Sequence, residues 1–256
     1  MDKAGALIEI EKLIIKKRIE INIIDGVLIP EYYYIGLGKS ASKSIILGLD
    51  KTTAHWHRVR YFERRYKTNL LSQYGISLFD VIIYLSKKYK FKPLIIECYR
   101  DPIAWTVSQT FQRVKAKSFI MPVANQVDHI LSFIKVGIRP PEALQWDKHF
   151  STDLLNEFDI DRKYLYKETE IANLLFLRFE DIKERKSIFA KHGYPYNDLH
   201  ENKTVGTMAK LYHDVLEKYK FTEEFLREFY NTKIITSLYS TPEIEGFINR
   251  WKIKGN

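Results

Sequence analysis

Residues 32–49 read YYYIGLGKSASKSIILGL, in which an aromatic run leads through two glycines and a loop of lysines and serines into an apolar segment. The first residues of this stretch are aromatic or apolar and predict a short buried strand, and the apolar run from Ser44 to Leu49 predicts a helix. Gly36 and Gly38, in the loop between them, let the backbone turn tightly and bring its amide groups close to a ligand. Because a helix begins with free N–H groups and the positive end of its dipole, a strand, a glycine loop and a helix in this order predict an anion-binding site.

The composition of the chain indicates one folded domain with an anionic partner. At 256 residues the chain is long enough for one large α/β domain, and 45% hydrophobic against 29% charged residues predict a packed core rather than disorder. The formal net charge of +9 favours an anionic partner. The lysines are scattered and form no long basic tail, so a phosphate-bearing small molecule fits at least as well as a polymer.

The cysteine content and the N-terminal segment bear on location. The single cysteine, Cys98, excludes an intramolecular disulfide and a cysteine-based zinc cage, and it fits a reducing cytosol. Residues 3–18 predict an amphipathic helix, and the segment lacks the uninterrupted apolar core of a signal peptide. We therefore expect a cytoplasmic protein whose N-terminal helix packs on the domain, and we leave open a peripheral contact with a membrane.

Strands and helices alternate along most of the chain. The run KPLIIECYR at 92–100 is continuously apolar, which is typical of a strand buried on both faces, and the Asp-Pro pair after it begins a helix at Pro102. This alternation predicts a central, mostly parallel sheet flanked by helices. We expect a single domain over 1–256, with an N-terminal helical extension at 1–25 and a helical C-terminal region at 200–256. Further strands are expected at 52–57 and 173–179, and further helices at 77–90 and in the segment closed by Gly193.

The glycine loop differs from the loop of nucleoside-triphosphate-binding proteins. If Lys43 and Ser44 are aligned with the Lys-Ser pair of G-x-x-x-x-G-K-[ST], Leu37 and Ser42 stand where the two glycines belong. We therefore prefer a shorter anion cradle centred on Lys39, to which Lys43 adds charge. The alternative is a Gly-Ser surface turn that happens to precede a helix. The hydroxyl donors in this segment are Ser40, Ser42 and Ser44.

A second signal follows the strand at 92–100. Arg100 ends this strand, and Ser108 follows eight residues later in the predicted helix. The planar guanidinium of an arginine, together with a hydroxyl group, forms a good clamp for a phosphate group. An Arg and a Ser at this spacing are common in proteins, so the pair gains its meaning from the loop at 36–44.

Together, the loop and the segment ECYRDPIAWTVSQ resemble the sulfotransferases that use 3′-phosphoadenosine 5′-phosphosulfate (PAPS). The stretch LLFLRFEDI at 174–182 is similar to a later strand of that family, which ends in Arg-aromatic-Glu-Asp. The segments QWDKHF and FDIDRKYLY and the C-terminal tail resemble a bacterial branch associated with capsular polysaccharide synthesis. The resemblance runs from about residue 30 to the C-terminus.

The resemblance implies a sulfotransferase-like P-loop fold and a set of ligand contacts. Lys39 would neutralise the sulfuryl group and the leaving phosphate oxygen, and Arg100 and Ser108 would hold the 3′-phosphate. Lys203, in ENKT, is a separate and weaker candidate for a contact with the nucleotide from the C-terminal region. Ser42 and Lys43 stand where many sulfotransferases have Gly-Thr. The residues implied around the 5′-phosphate are Gly38, Lys39, Ser40, Ala41, Ser42, Lys43 and Ser44.

The segment AHWHR supplies candidates for a catalytic base. His55 and His57 lie two residues apart at a predicted strand end, so both should point to one face of the sheet. Histidine titrates in the range where a general base is useful. We favour His55 because similar capsular-type sequences carry a histidine at this strand end, and Glu63, His149 and His200 remain alternatives. His-x-His is also a metal-ligand spacing, but no third ligand is evident, and we expect no metal.

Three local features each allow two interpretations. The segment RVRYFERRYK at 58–67 is either a solvated helix face or a landing surface for an anionic polysaccharide. Trp56 either stacks on a ligand or packs in the core. Glu180 and Asp181 either have a structural role, as a cap of the next helix or as a partner that orients Arg178, or take part in the chemistry, and we favour the structural role.

These features lead to three hypotheses of function. The first is a sulfotransferase that transfers a sulfuryl group from PAPS to a hydroxyl or amine of a carbohydrate, such as a capsular or cell-surface glycan or its precursor. The second is a P-loop kinase or NTPase that uses Mg-ATP, with LIIE at 94–97 as a poor Walker B strand; the displaced glycines argue against it. The third is a non-catalytic basic module that binds an anionic polymer, although no recognised nucleic-acid motif supports it. We expect a nucleotide co-substrate and a glycan acceptor as partners, no nucleic acid, and leave the oligomeric state open.

Overall fold

The computed structural model describes residues 1–20, 29–36, 42–49, 53–56, 58–115, 127, 147–150, 152–197 and 207–253. Contacts divide the chain into two compact units. The first unit comprises Met1–Tyr99, Gln145–Thr152 and Tyr164–Leu199, and the second comprises Arg100–Leu144, Asp153–Lys163 and His200–Asn256.

A five-stranded sheet forms the centre of the first unit. Its strands are β1 (Tyr32–Ile35), β2 (Thr53–Trp56), β3 (Leu94–Tyr99), β4 (Tyr164–Glu168) and β5 (Asn173–Arg178). They lie in the order β2-β1-β3-β5-β4, and β1, β2, β3 and β5 are parallel while β4 pairs antiparallel with β5. The expected α/β architecture with a mostly parallel sheet is therefore confirmed. We call the edge at which the four parallel strands end the carboxyl edge, and the opposite one the amino edge.

Helices lie before, between and after the strands. In chain order they are α1 (Lys3–Glu20), α2 (Ser42–Leu49), α3 (Val59–Tyr66), α4 (Leu70–Gln73), α5 (Leu78–Tyr89), α6 (Pro102–Lys115), α7 (Asp147–Phe150), α8 (Leu154–Glu157), α9 (Arg185–Lys191), α10 (Thr207–Lys218), α11 (Glu223–Tyr230), α12 (Lys233–Leu238) and α13 (Thr241–Trp251). A 3-10 turn, Ile182–Glu184, precedes α9. Gly193 closes the α9 segment at φ +77°, as expected from sequence.

The strand β3 is buried along its whole length, as its apolar sequence predicts. Alternate side chains point to opposite faces of the sheet, so Leu94, Ile96 and Cys98 share one face with Tyr34 of β1. Glu97 and Tyr99 point to the other face. Cys98 is 1% exposed, which confirms it as a buried strand residue.

The helices α2 and α9 cover the face that carries Tyr34. Ile45 and Leu49 of α2 and Ile188 and Phe189 of α9 belong to one buried apolar cluster with it. The two helices therefore pack on the same side of the sheet, and burial of their apolar residues stabilises this layer.

The ends of α2 and α9 meet through the segment that follows α9. Tyr196 stacks on Phe189 with ring centres 4.6 Å apart, and the backbone N–H of Asn197 donates to the carbonyl of Gly48 at 2.8 Å. A Cβ added to Gly48 would lie 2.4 Å from Tyr196 Cε2 and 2.5 Å from the Asn197 carbonyl oxygen. Only glycine fits at this position without a shift of its neighbours.

The direction of α9 follows from contacts after its last turn. Tyr194 accepts a hydrogen bond from Asn173 Nδ2 at 2.6 Å, and its ring lies 6.0 Å from that of Tyr32. Asn173 and Tyr32 are the first residues of β5 and β1, so α9 ends at the amino edge. Its first residue, Arg185, therefore lies toward the carboxyl edge.

The helix α1 is fastened to α5 by a buried carboxylate. Glu11, 4% exposed, accepts hydrogen bonds from Lys88 Nζ at 2.6 Å, from Tyr84 at 2.7 Å and from Tyr89. Burial acts to raise the pKa of Glu11, but these three donors outweigh it and hold the pKa below its ordinary value. The predicted N-terminal helix is thus confirmed and packs on the first unit.

The second unit is organised around Asp101, which is 1% exposed. Its carboxylate accepts hydrogen bonds from Tyr230 at 2.7 Å, from Trp251 Nε1 at 2.8 Å and from the backbone N–H of Ile103 at 3.1 Å. Burial raises the pKa of Asp101 even though these donors act to lower it. The acid of the Asp-Pro pair therefore ties the start of α6 to α11 and α13.

Candidate functional site

The carboxyl edge of the first unit is the place where the predicted loop begins. The strand β1 ends beside β2, with Ile35 paired to Trp56, and β3 ends beside β5, with Tyr99 paired to Arg178. In parallel α/β sheets, ligands bind beyond the carboxyl ends of the strands. The end of β1 is followed directly by Gly36.

Gly36 is tightly enclosed at the start of the predicted anion loop. A Cβ added there would lie 3.3 Å from Glu97 Cγ and 3.7 Å from the ring of Tyr34, so this position favours a residue without a side chain. Glu97 itself is 2% exposed. The loop thus leaves β1 beside a buried carboxylate. Four of the predicted ligand residues, Gly38, Lys39, Ser40 and Ala41, lie outside the described residues.

The helix α2 begins at Ser42, two residues earlier than the sequence predicted. Ser42, Lys43 and Ser44 form its first turn, where backbone N–H groups have no partner within the helix and the dipole is positive. Ser44 is buried, at 7% exposure. The side chains of Ser42 and Lys43 lie outside the described part of the chain.

His55 lies near the end of β2 with its ring between two tyrosines. The ring centre is 5.7 Å from that of Tyr34 and 6.0 Å from that of Tyr61, the latter on α3. The side chain is half-buried and shares the face of the sheet that α2 covers. His57, the other predicted base, lies outside the described residues.

Trp56 points to the opposite face and packs in the core. It is 1% exposed, and its ring lies 5.0 Å from the rings of both Tyr33 and Phe62. Of the two interpretations of this residue, packing is therefore the one observed.

The remaining candidates for a base have other contacts. Glu63 accepts hydrogen bonds from the backbone N–H of Ser72 at 2.7 Å and from its hydroxyl at 2.9 Å. The ring of His149 packs 5.0 Å from that of Phe79. His200 is outside the described residues. Glu63 thus serves as an anchor between α3 and α4.

Arg100 and Ser108, the predicted phosphate clamp, belong to the second unit. Arg100 is partly exposed and immediately precedes the buried Asp101, and Ser108 is half-buried in α6. At 1.5 Å per residue, Ser108 lies about 9 Å along the axis from Pro102 at the helix start. The anchored Asp101 fixes the start of this segment. Lys203, the other predicted nucleotide contact, lies outside the described residues.

The Arg-aromatic-Glu-Asp segment forms a buried ion pair. Arg178 Nε donates to Asp181 Oδ2 at 2.5 Å, and both side chains are nearly inaccessible to water. No side-chain cap hydrogen bond from Asp181 to the following 3-10 turn is present in this described segment. Asp181 therefore orients Arg178, which was one of the two interpretations of this residue.

Arg185 is a buried cation that the sequence interpretation missed. It is 1% exposed, and within the described structure none of its three guanidinium nitrogens has a hydrogen-bond partner. Its Cζ lies 5.9 Å from the ring of Phe179, a contact worth about 0.5–2 kcal/mol. Removing an unpaired cation from water costs on the order of several kcal/mol, so this contact does not compensate for its burial.

The sequence around Arg185 explains why it was missed. The stretch EDIKERK alternates charges in the manner of an exposed turn. The sequence feature that could have predicted its burial is its spacing from apolar residues. Arg185 precedes Ile188 and Phe189 by three and four residues and so lies on their face of α9.

The helix α3 presents a basic surface beside His55. On the apolar side of this helix Phe62 is fully buried. Glu63, the only acidic residue of the helix, accepts hydrogen bonds from Ser72. Tyr61 is 37% exposed and contacts His55, so this surface begins next to the candidate base. The α3 basic surface consists of the exposed residues Arg58, Arg60, Arg64, Arg65 and Lys67.

Among the described residues, no three His, Cys, Asp or Glu side chains come together in a way that could hold a metal ion. No helix in the described ranges has both the length and the apolar character needed to cross a bilayer. Comparisons with models of protein families, with curated proteins and with solved structures find no match.

Proposed function

We propose that this protein is a sulfotransferase that moves a sulfuryl group from PAPS to a hydroxyl or amine of a carbohydrate. The observation that carries the proposal is the β1–loop–α2 unit at the carboxyl edge, where the loop begins at Gly36, a tightly enclosed glycine. An anion loop in this position without the two Walker glycines fits a phosphosulfate better than a magnesium-bound triphosphate. The buried Cys98 accords with a reducing compartment, and we propose a cytoplasmic location.

In this proposal the nucleotide is held by two segments of sequence. Lys39 and the residues from Gly38 to Ser44 bind the phosphosulfate, and Arg100 with Ser108 binds the 3′-phosphate. The first turn of α2 adds backbone N–H donors and a favourable dipole.

The reaction is an in-line displacement at sulfur. The acceptor oxygen or nitrogen forms a bond to sulfur while the bond from sulfur to the 5′-phosphate oxygen breaks, and the acceptor proton passes to a base. By analogy with phosphoryl transfer, positioning and charge stabilisation dominate catalysis. Lys39 would stabilise the negative charge that develops on the leaving phosphate oxygen.

His55 is the proposed base. It lies one residue before the end of β2, and the rings of Tyr34 and Tyr61 flank it. Histidine is the side-chain type whose ordinary titration range suits a general base near neutral pH, and the side chain of His55 is half-buried. His57 remains the alternative base.

The α3 basic surface supports an anionic glycan as the acceptor. It begins beside His55, and its positive side chains are exposed. The apolar side of α3 is buried in the first unit, so the helix has no apolar face with which to enter a bilayer. A capsular or cell-surface glycan with acidic groups fits this surface.

Glu97 favours a second candidate function, a P-loop kinase or NTPase. It is a buried carboxylate on the strand next to β1 and lies against Gly36. An acid beside the phosphate loop is what magnesium-dependent phosphoryl transfer requires.

One titration separates the candidates. We would measure binding of adenosine 3′,5′-bisphosphate and of ATP, each with and without Mg²⁺, by calorimetry. The proposal predicts metal-independent binding of the bisphosphate that weakens at least about ten-fold in Arg100→Ala or Ser108→Ala, because a charged or hydroxyl contact is lost. Preference for Mg-ATP would support the kinase, and binding of neither nucleotide would support a non-catalytic basic module.

Turnover variants provide the control for this titration. In His55→Ala the affinity for the bisphosphate should stay at the wild-type value while sulfuryl transfer from PAPS is lost. If transfer persists in His55→Ala and is lost in His57→Ala, the assignment of the base moves to His57.

A further inference from the structure

Arg185 differs from the buried Arg178 and Glu11 of the first unit because its guanidinium has no hydrogen-bond partner among the described residues. Arg178 has Asp181, and Glu11 has three donors. Arg185 is equally buried, and no nitrogen of its guanidinium has a hydrogen-bond partner within the structure as described. Asp181, which precedes it by one helical turn, is already paired with Arg178.

The position of Arg185 places this charge at the carboxyl edge. It is the first residue of α9, whose other end lies at the amino edge, and its guanidinium lies over the ring of Phe179, the residue that follows β5. The backbone N–H of Phe179 donates to the carbonyl of Tyr99, so this ring is held at the end of β3.

Arg185 also lies on the same face of the sheet as the start of α2. Ile188 and Phe189, one turn further along α9, share a buried cluster with Ile45 of α2. The ends of the two helices are joined by the hydrogen bond between Asn197 and Gly48. Both helices run from the carboxyl edge to the amino edge. The start of α2 and Arg185, the first residue of α9, therefore lie toward the same edge and on the same face of the sheet.

We propose that Arg185 binds an oxyanion of the phosphate or sulfate class at the carboxyl edge of the first unit. A guanidinium presents a planar fork of N–H donors that matches two oxygens of such an anion, and a buried cation gains most from a bound counter-charge. The identity of the ligand rests on the proposed function, under which the oxyanion is a phosphate group of the nucleotide.

Replacement of Arg185 should have an unusual effect on the stability of the ligand-free protein. If the guanidinium is kept for a ligand, its replacement by an apolar side chain of similar length should leave the ligand-free protein as stable as before, or more stable. An arginine kept for the fold would instead lower stability when it is replaced. The two roles therefore differ in the sign of the effect.

The experiment compares Arg185→Met and Arg185→Lys with the matched control Lys186→Met, whose side chain is exposed. The melting temperature is measured without ligand and with inorganic phosphate, sulfate and adenosine 3′,5′-bisphosphate, and calorimetry gives the bisphosphate Kd. For Arg185→Met we expect a ligand-free melting temperature at or above that of wild type and a Kd at least about ten-fold weaker. Lys186→Met should match the wild type in both, and Arg185→Lys should have an intermediate Kd because it keeps the charge without the fork.

The bisphosphate Kd decides whether Arg185 binds the ligand, and the ligand-free melting temperature decides whether the fold also requires this arginine. A wild-type Kd in Arg185→Met overturns the role of Arg185 while leaving the proposed function intact. If Arg185→Met does not fold, a wild-type Kd in Arg185→Lys overturns it equally. Should the wild type bind inorganic phosphate or sulfate but not the bisphosphate, the proposed function fails, and loss of that binding in Arg185→Met or Arg185→Lys still supports the oxyanion site. A wild type that gains no stability from any of these anions overturns both proposals.

Discussion

Gly48 illustrates how one residue without a side chain sets the packing of the layer that supports the site. It lies in the last turn of α2, where the ring of Tyr196 and the carbonyl of Asn197 take the space that a side chain would need. Neither group is the far end of a flexible chain, so both resist displacement. The position of α2 against the segment after α9 therefore depends on this glycine.

Gly48→Ala should lower the free energy of unfolding by about 1–3 kcal/mol, since the added methyl group must push Tyr196 or the backbone aside. Urea unfolding followed by tryptophan fluorescence measures the change. Gly246→Ala is the matched control: Gly246 is also in a helix, α13, and nothing lies within 4 Å of an added Cβ. That variant should be unchanged or gain up to about 1 kcal/mol from higher helix propensity. Equal effects of the two substitutions would contradict the packing argument.

At the residue scale, sequence reasoning succeeded where the neighbours along the chain decide the outcome. Cys98 in a continuous apolar run is buried, and Asp101 before Pro102 begins a helix. Sequence reasoning missed Arg185 because a charged residue in a charged stretch is expected to be exposed, and only the packing of α9 buries it.

Among the secondary-structure elements, α1 is held in place both by buried apolar residues and by a buried carboxylate. Ala6, Ile10 and Ile14 are fully buried, and Glu11 on the same side receives the donors of α5. The hydrogen bonds hold the pKa of Glu11 below its ordinary value of 4.5. The native state therefore binds the Glu11 proton less readily than the unfolded chain does.

This linkage predicts the pH dependence of the contact between α1 and α5. Because the folded pKa is lowered, the stabilisation by Glu11 is complete above pH 4.5 and is lost as the pH falls through the folded pKa. Glu11→Gln should be less stable than wild type at pH 7, by about 1–2 kcal/mol, and the difference should shrink in acid. Thermal unfolding between about pH 7 and pH 3 measures this.

The control for Glu11 is Glu9→Gln on the same helix. Glu9 pairs with Lys12 at 2.8 Å in solvent, where an ion pair contributes little. The stability of Glu9→Gln should therefore follow that of the wild type across the pH range. A difference between wild type and Glu11→Gln that stays constant with pH would rule out the charge of Glu11 as the cause.

The strand β4 is an element that the sequence interpretation did not predict. Its sequence, YLYKE, is short and does not alternate, and burial falls along it from the buried Tyr164 and Leu165 to the exposed Glu168. It is recognisable as a strand only through its antiparallel pairing with β5. An edge strand is specified by its partner as much as by its own pattern.

For the whole molecule, the question is whether anion binding follows from the net charge of +9 or from a local surface. The α3 basic surface is local and lies beside His55. Lys87 and Lys92 are also exposed but lie near the amino edge, since Lys92 precedes β3. Two double variants can therefore remove the same charge from different places.

Arg60→Gln with Arg64→Gln should weaken binding of a soluble polyuronate about ten-fold, since each exposed contact contributes up to about 1 kcal/mol. Lys87→Gln with Lys92→Gln should change it less than about two-fold, although each pair lowers the net charge by two. Binding is measured by calorimetry, with neutral dextran as the negative control, and should weaken as salt is raised. Equal losses in the two double variants would assign binding to the net charge, and tighter binding of duplex DNA or anionic vesicles would argue against a glycan.

The amino-acid sequence by itself determined the alternation of strands and helices, the buried character of β3 and the start of α6, because hydrophobic periodicity, glycine and proline act on their immediate neighbours. The tertiary structure alone decided that β4 joins the sheet, that Glu63 is bonded to Ser72 and that Arg185 is buried. Each of these depends on contacts between segments whose relative position is set by packing rather than by local sequence. Side-chain burial and hydrogen bonding are properties of that packing, so local sequence does not reveal which charged residue, such as Arg185, the fold removes from water.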